Sequence, residues 1–197
     1  MDRQDKIVIL AGVVILLISI MGIVYHEKTY VASEEVKKVS YTVSWKEYSD
    51  ELVDSGFVGR DGWENGYEID LPENAYVYQV EVKVDWSDNL NFHGFILPWN
   101  WSDKIEASVN INELQFSQSA AGYEGIEIDA SKDKPKDFQA DVESKEELNE
   151  ILKNMALNKI TCNISLSITP KPIFFDRGND FTLHIIYHYC IPEVKTT

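Results

Sequence analysis

The chain has 197 residues, with 33 acidic side chains against 18 basic ones, a formal net charge of -15 and a sequence pI near 4.6. So acidic a surface repels phosphate backbones and anionic lipid, which excludes nucleic acid as a partner. Plain solubility accounts for the charge, and a specific cationic partner is the sharper alternative. A hydrophobic share of 44% gives a body of about 170 residues enough apolar material for one core.

The first element is the apolar run Ile7 to Tyr25, which carries no charged side chain. At ~1.5 Å per residue its roughly 28 Å approaches the ~30 Å hydrocarbon core of a bilayer, so the run predicts a transmembrane helix. A cleaved secretion signal would need a small residue where Tyr30 stands before the best site, after Ala32. A buried helix would carry a polar face. The resulting organisation is a cytoplasmic tail over 1–6, a membrane helix over 7–25, a charged stalk over 26–38 and an extracytoplasmic domain over 39–197. Gly12, Ser19 and Gly22 share one side of the run and are candidates for contact with a second membrane helix.

The body then alternates. Val39 to Trp45 reads as a strand with one wet face. Gly56 to Tyr67 is Gly-rich, carries Phe57, Trp63 and Tyr67, and reads as a loop or loose hairpin. Ala75 to Trp86 is a clear strand, with Tyr76, Tyr78, Val80, Val82, Val84 and Trp86 expected on one face. Phe92 to Leu97 is a short apolar segment. Lys104 to Phe116 turns Ile105, Ala107, Val109 and Ile111 inward, and Gly125 to Ala130 is another strand.

Ser144 and Glu147 form a capping box ahead of Leu148, Ile151, Leu152 and Met155, which predicts an amphipathic helix lying on a sheet edge or end. Two long strands close the chain, Ile160 to Ile168 and Phe181 to Ile191. Their apolar phases conflict if they pair directly, so they lie in different sheets or a bulge intervenes. Together these elements predict a mainly β protein: an antiparallel β-sandwich, immunoglobulin-like or jelly-roll, with one amphipathic helix behind an N-terminal membrane helix.

Candidate functional residues are scattered. Cys162 and Cys190, the two cysteines of the chain, suit a disulfide in an oxidising compartment. Asn100 and Asn163 head N-x-S sequons, each a glycosylation candidate. Trp99 and Trp101 flank Asn100, and with Trp63 they are candidate stacking platforms for a sugar or anchors for a protein. Asp176, Asn179 and Asp180 form an oxygen-rich segment of the kind calcium uses, although Asp and Asn are also ordinary turn residues. His184 and His188 lie about 13 Å apart along a strand, too far to share one metal. No cofactor motif is present, and no G-x-S-x-G, H-E-x-x-H or P-loop pattern marks a catalytic site.

The order of anchor, Val80-x-Val82-x-Val84-x-Trp86-Ser87-Asp88 and Asn179-Asp180-Phe181-Thr182-Leu183 to Tyr187 resembles single-pass envelope proteins of archaea. The resemblance implies a tethered β-sandwich and adds no activity to that reading. The sequence thus points to a non-enzymatic, membrane-anchored extracytoplasmic protein. It would serve as a binding or structural module of the cell envelope, or as an accessory subunit recruited through its membrane helix. A carbohydrate-binding module using exposed Trp residues is the alternative. A glycoside or ester hydrolase with unassigned carboxylates comes third.

Overall fold

The computed structural model describes residues 12–23, 38–87, 103–169 and 178–196, within two units, Met1–Lys38 and Val39–Thr197. In the first unit, residues 12–23 form a helix, α1. The 12 described residues rise about 18 Å, against the ~30 Å a membrane span needs. No helix among the described residues is long and apolar enough to cross a membrane. This corrects the expectation of a transmembrane helix over 7–25, and the single-pass cell-membrane placement that followed from it. Residues 7–11 and 24–25 of the run lie outside the described residues. Of the small residues on α1, Ser19 donates its hydroxyl to the Ile15 carbonyl at 2.9 Å, and a Cβ on Gly12 or Gly22 would meet no described atom within 4 Å beyond its own stretch of helix.

The described residues of the second unit form nine strands: β1 (Val39–Gly59), β2 (Trp63–Asp70), β3 (Tyr76–Ser87), β4 (Lys104–Ile111), β5 (Phe116–Gly122), β6 (Gly125–Ser131), β7 (Phe138–Val142), β8 (Lys159–Thr169) and β9 (Gly178–Thr196). A helix, α2 (Lys145–Met155), separates β7 from β8. One sheet has the order β6-β3-β9-β1-β7 and the other β2-β8-β4-β5. Without β7 the pairing is nested: β1 with β9, β2 with β8, β3 with β6, β4 with β5, all antiparallel. A long hairpin rolled up on itself pairs in this way, so the sandwich is a jelly roll rather than an immunoglobulin fold.

Alternation accounts for the core. Ile105, Ala107, Val109 and Ile111 of β4 are all fully buried, as expected from their phase. Ile160, Cys162, Ile164, Leu166 and Ile168 of β8 face them from the same sheet, and Val80, Val82, Val84, Phe181, Leu183 and Ile185 close the core from the other. The phase conflict between the last two strands is resolved by placing β8 and β9 in different sheets. A bulge does occur, but in β3, where the register shifts between Val77 and Gln79. It brings Val77 into the core and turns Tyr76 and Tyr78 to the outer face, against the simple alternation expected of that strand.

The same geometry overturns the disulfide. Cys162 points into the core opposite Tyr67, whereas Cys190 lies on the outer face of the five-stranded sheet, opposite Tyr76 and Glu47. Both are free thiols. The Cys190 thiol donates to the Tyr76 carbonyl at 3.6 Å. Burial pushes Cys162 up to about 12 and Cys190 to about 11, so neither thiolate is available for reaction.

Helix α2 begins as its sequence requires. Ser144 accepts from the Glu147 amide at 3.2 Å, and the Glu147 carboxylate reaches back to the Glu143 amide at 2.8 Å. Leu148 and Leu152 then pack with Val43, Ala140 and Val142 into a second, smaller core on the outer face of the five-stranded sheet, where β7 meets the start of β1. Ile151 is only partly buried at its margin.

Two measurements check this packing. Leu148→Ala should cost about 2–5 kcal/mol in denaturant unfolding, because Leu148 is fully buried in a cluster too small to collapse around the gap. A thiol reagent should label both cysteines of the unreduced chain once it is unfolded and neither in the native protein, and reductant should leave the melting temperature unchanged.

Candidate functional site

The outward face of the four-stranded sheet is built from small polar side chains. Between the core residues of β8 stand Asn163, Ser165 and Ser167, and between those of β4 stand Glu106, Ser108 and Asn110. The register sets Ser108 beside Ser165 and Asn110 beside Asn163, with Glu64 and Gly66 of β2 on the far side of β8. Ser119 of β5 extends the row past Ser108.

Short side chains on neighbouring strands leave the sheet surface recessed. One depression of about 530 Å³ is lined by Asp61, Trp63, Glu64, Glu106 and serines 108, 165 and 167. A second of about 510 Å³ is lined by Asn65, Gly66, Asn110 and Asn163. Glu64, Ser108 and Ser165 line both, so the two form one shallow groove across the strands. Gly66 helps keep the floor low, since a Cβ at that position would stand 3.0 Å from the Asn163 side-chain oxygen and push it aside. No lysine or arginine among the described residues lines the groove.

Strand β2 forms one wall and is pinned from beneath. Trp63 sets its ring edge against Phe181, centroids 4.9 Å apart at 72°. Gly56 leaves room for this pair, because a Cβ on it would meet the Phe181 ring at 2.8 Å. One turn of the pleat further, the buried Tyr67 hydroxyl donates to Asp54 of β1 at 2.5 Å. That bond, together with the Ser55 amide, holds the Asp54 carboxyl below its ordinary range. Burial, and then the same carboxylate, pushes Tyr67 up to about 12.

The residues singled out by sequence are distributed as follows. Trp63 borders the groove but turns its ring inward against Phe181, and Asn163 lies in the groove floor, in mid-strand rather than on a turn. Trp99, Asn100, Trp101 and Asp176 lie outside the described residues. Asn179 and Asp180 are turned to opposite faces of β9: Asn179 is fully buried and donates to the Asp103 carboxylate at 3.2 Å, while Asp180 is exposed. No group of three or more His, Cys, Asp or Glu among the described residues could hold a metal ion. The two histidines have separate partners, His184 on Glu51 at 2.6 Å and His188 on Glu81 at 3.2 Å.

Sequence reasoning missed the groove. Its signal was present, as serines and asparagines at alternate positions of two strong strands. The register that sets Ser108 beside Ser165 joins segments more than fifty residues apart, and no local pattern encodes it.

No family model matches this chain, and no curated protein matches it. Among solved structures it is similar to a crystal structure of a decameric BFDV capsid protein, at 5% identity over 75% of this chain and 98% of that one, with a TM-score of 0.34. A score of that size carries no argument about function.

The pinning of β2 has a pH signature. Tyr67→Phe should cost about 1 kcal/mol at neutral pH, the lower end for a hydrogen bond to a charged group because Asp54 is half open to water. Asp54 is depressed on folding, so its contribution is present above the ordinary aspartate range and fades as pH falls through its folded pKa. Tyr67 is raised, so its contribution is present below about 10 and fades as pH rises toward about 12. Unfolding free energies of wild type and variant should differ by a plateau between about pH 4 and pH 10 and converge on either side.

Proposed function

We propose that this chain is a non-enzymatic binding protein whose jelly roll presents a hydroxyl-lined groove to a neutral, polyhydroxylated ligand of the saccharide class. The observation behind this reading is the pair of adjoining depressions that share Glu64, Ser108 and Ser165. Their sizes fall within the range of small-ligand sites, roughly 300–1,000 Å³.

The lining fits the ligand class. Serine hydroxyls and asparagine amides both donate and accept, as sugar hydroxyls require. Glu64, Glu106 and Asp61 accept from hydroxyl groups and repel anions, so a neutral ligand is favoured over a phosphorylated one. The groove is open and shallow, which suits an extended chain lying across the strands more than a single enclosed ring. Glu64 and Glu106 stand open to water along this lining, where accepting hydrogen bonds is the role their position supports.

A glycan array probed with the full chain tests the reading. At least one neutral oligosaccharide should bind. Ser108→Tyr and Ser165→Tyr, which fill the groove from exposed or half-exposed positions, should each weaken binding at least tenfold while the melting temperature holds. An array without neutral binders, or binding indifferent to both substitutions, would refute it.

A further inference from the structure

The longest strand of the protein has an open edge. β1 is paired with β9 along its length, from Tyr41 opposite Thr196 to Gly59 opposite Gly178. Its other edge is paired with β7 only over Val39–Val43. From Lys46 to Gly59, roughly 45 Å of chain, no described strand pairs that edge.

The direction of the backbone groups is fixed by what has captured some of them. The Trp45 amide donates to the Asp137 carboxylate at 3.0 Å, the Glu51 amide to Asp50 at 2.8 Å and the Ser55 amide to Asp54 at 2.8 Å. At the far end the Gly59 carbonyl accepts from the Gly62 amide at 3.0 Å. All four are odd-numbered residues. In an antiparallel ladder the peptide groups of alternate residues point to alternate sides, so the odd residues direct theirs away from β9. Glu47, Ser49, Val53 and Phe57 therefore present their amides and carbonyls to the same open edge. The captured amides are held by carboxylates that occupy the place a neighbouring strand's carbonyls would take.

The side chains along this edge define what would fit. Val53 is 56% exposed and Phe57 45%, both on the outer face and two positions from Ser55 between them. Natural edges are blunted by lysine, proline, bulges or brevity. Between Glu47 and Gly59 this strand has no lysine and no proline, and its register with β9 is unbroken. Its charges are Glu47, Asp50, Glu51 and Asp54, all acidic, with Lys46 at one end. A second copy would bring the same carboxylates against these, and like charges directly opposite are destabilising.

We infer that the Lys46–Gly59 edge of β1 accepts an extended, basic segment of another protein as a sixth strand of the five-stranded sheet. Lysines or arginines of that segment lie on one face against Asp50 and Asp54, and its apolar residues lie on the other against Val53 and Phe57, the face on which Glu47 and Glu51 are already held by Lys134 and His184. Main-chain hydrogen bonds supply affinity, and the alternating side chains supply selectivity. This site is distinct from the groove on the four-stranded sheet.

The test uses the full chain in 150 mM NaCl and a fluorescein-labelled nonapeptide of alternating lysine and valine. Three comparisons separate strand pairing from bare attraction to an acidic protein: the same peptide N-methylated at alternate amides, a glutamate–valine counterpart, and the variant Val53→Pro. Proline at 53 removes an amide that points away from β9, so the ladder to β9 is kept. Saturable one-to-one binding of the lysine peptide is expected, weakened at least tenfold by N-methylation and by Val53→Pro, with none for the glutamate peptide. Should Val53→Pro fail to fold, the N-methylated peptide decides alone. Equal binding of the N-methylated peptide, equal binding to a folded Val53→Pro, or a wild-type dimer that Val53→Pro converts to monomer would each overturn the inference.

Discussion

The pairing of the first long strand with the last is the constraint on which the rest of the structure depends. β1 and β9 run antiparallel without a register break over their whole shared length. Once the two ends of the body are joined, the chain between them must fold inward in pairs, β2 on β8, β3 on β6 and β4 on β5. These contacts are non-local and expensive in loop closure, so they form only because each pair buries a continuous apolar face. The unbroken register also puts Phe181, Leu183 and Ile185 on the core side, and His184, His188 and Cys190 on the outside, in one stroke.

The two faces left outside the core have different chemistry. Over the five-stranded sheet lies a polar network in which Lys83 bridges Glu81 at 3.3 Å and Glu127 at 3.2 Å, Gln79 reaches Asp129 at 3.0 Å, and Lys134 meets Glu47 at 2.8 Å beneath the Tyr78 hydroxyl. The bulge after Val77 makes this possible by turning Tyr78 outward. Each exposed pair is worth at most about 1 kcal/mol, so the network fixes side-chain positions more than it adds stability. Over the four-stranded sheet there are serines, asparagines and a glycine with few charges, and the surface is recessed instead of cross-linked. A face occupied by its own ion pairs offers little to a ligand, whereas a face of short unpaired hydroxyls does.

The acidity of the chain also has a spatial meaning that its total does not convey. Several carboxylates are bound internally: Asp54 by Tyr67, Glu47 by Lys134 and Tyr78, Glu51 by His184, Glu81 by His188. Asp50 and Asp54 fold back on the amides of the next residue along the open edge. Part of the net charge is therefore spent on the strand's own open edge, where like carboxylates disfavour pairing with a second copy.

Local pattern determined much of this protein, because burial of one strand face or one helix stripe is written in the period of the residues. The strands at Lys104–Ile111 and Ile160–Ile168, the capping box at Ser144 and the stripe through Leu148 and Leu152 were all legible, and so was the conflict that assigns β8 and β9 to separate sheets. Weakly apolar strands such as β5 and β7 were not, since their serines, glutamines and alanines carry little period. Tertiary structure alone decided the rest. The nested order of the jelly roll, the bulge at Val77, the separation of Cys162 from Cys190 across a sheet, and the meeting of Ser108 with Ser165 depend on which distant segments pair and in what register. That choice is made by the whole core at once, and no window of sequence contains it.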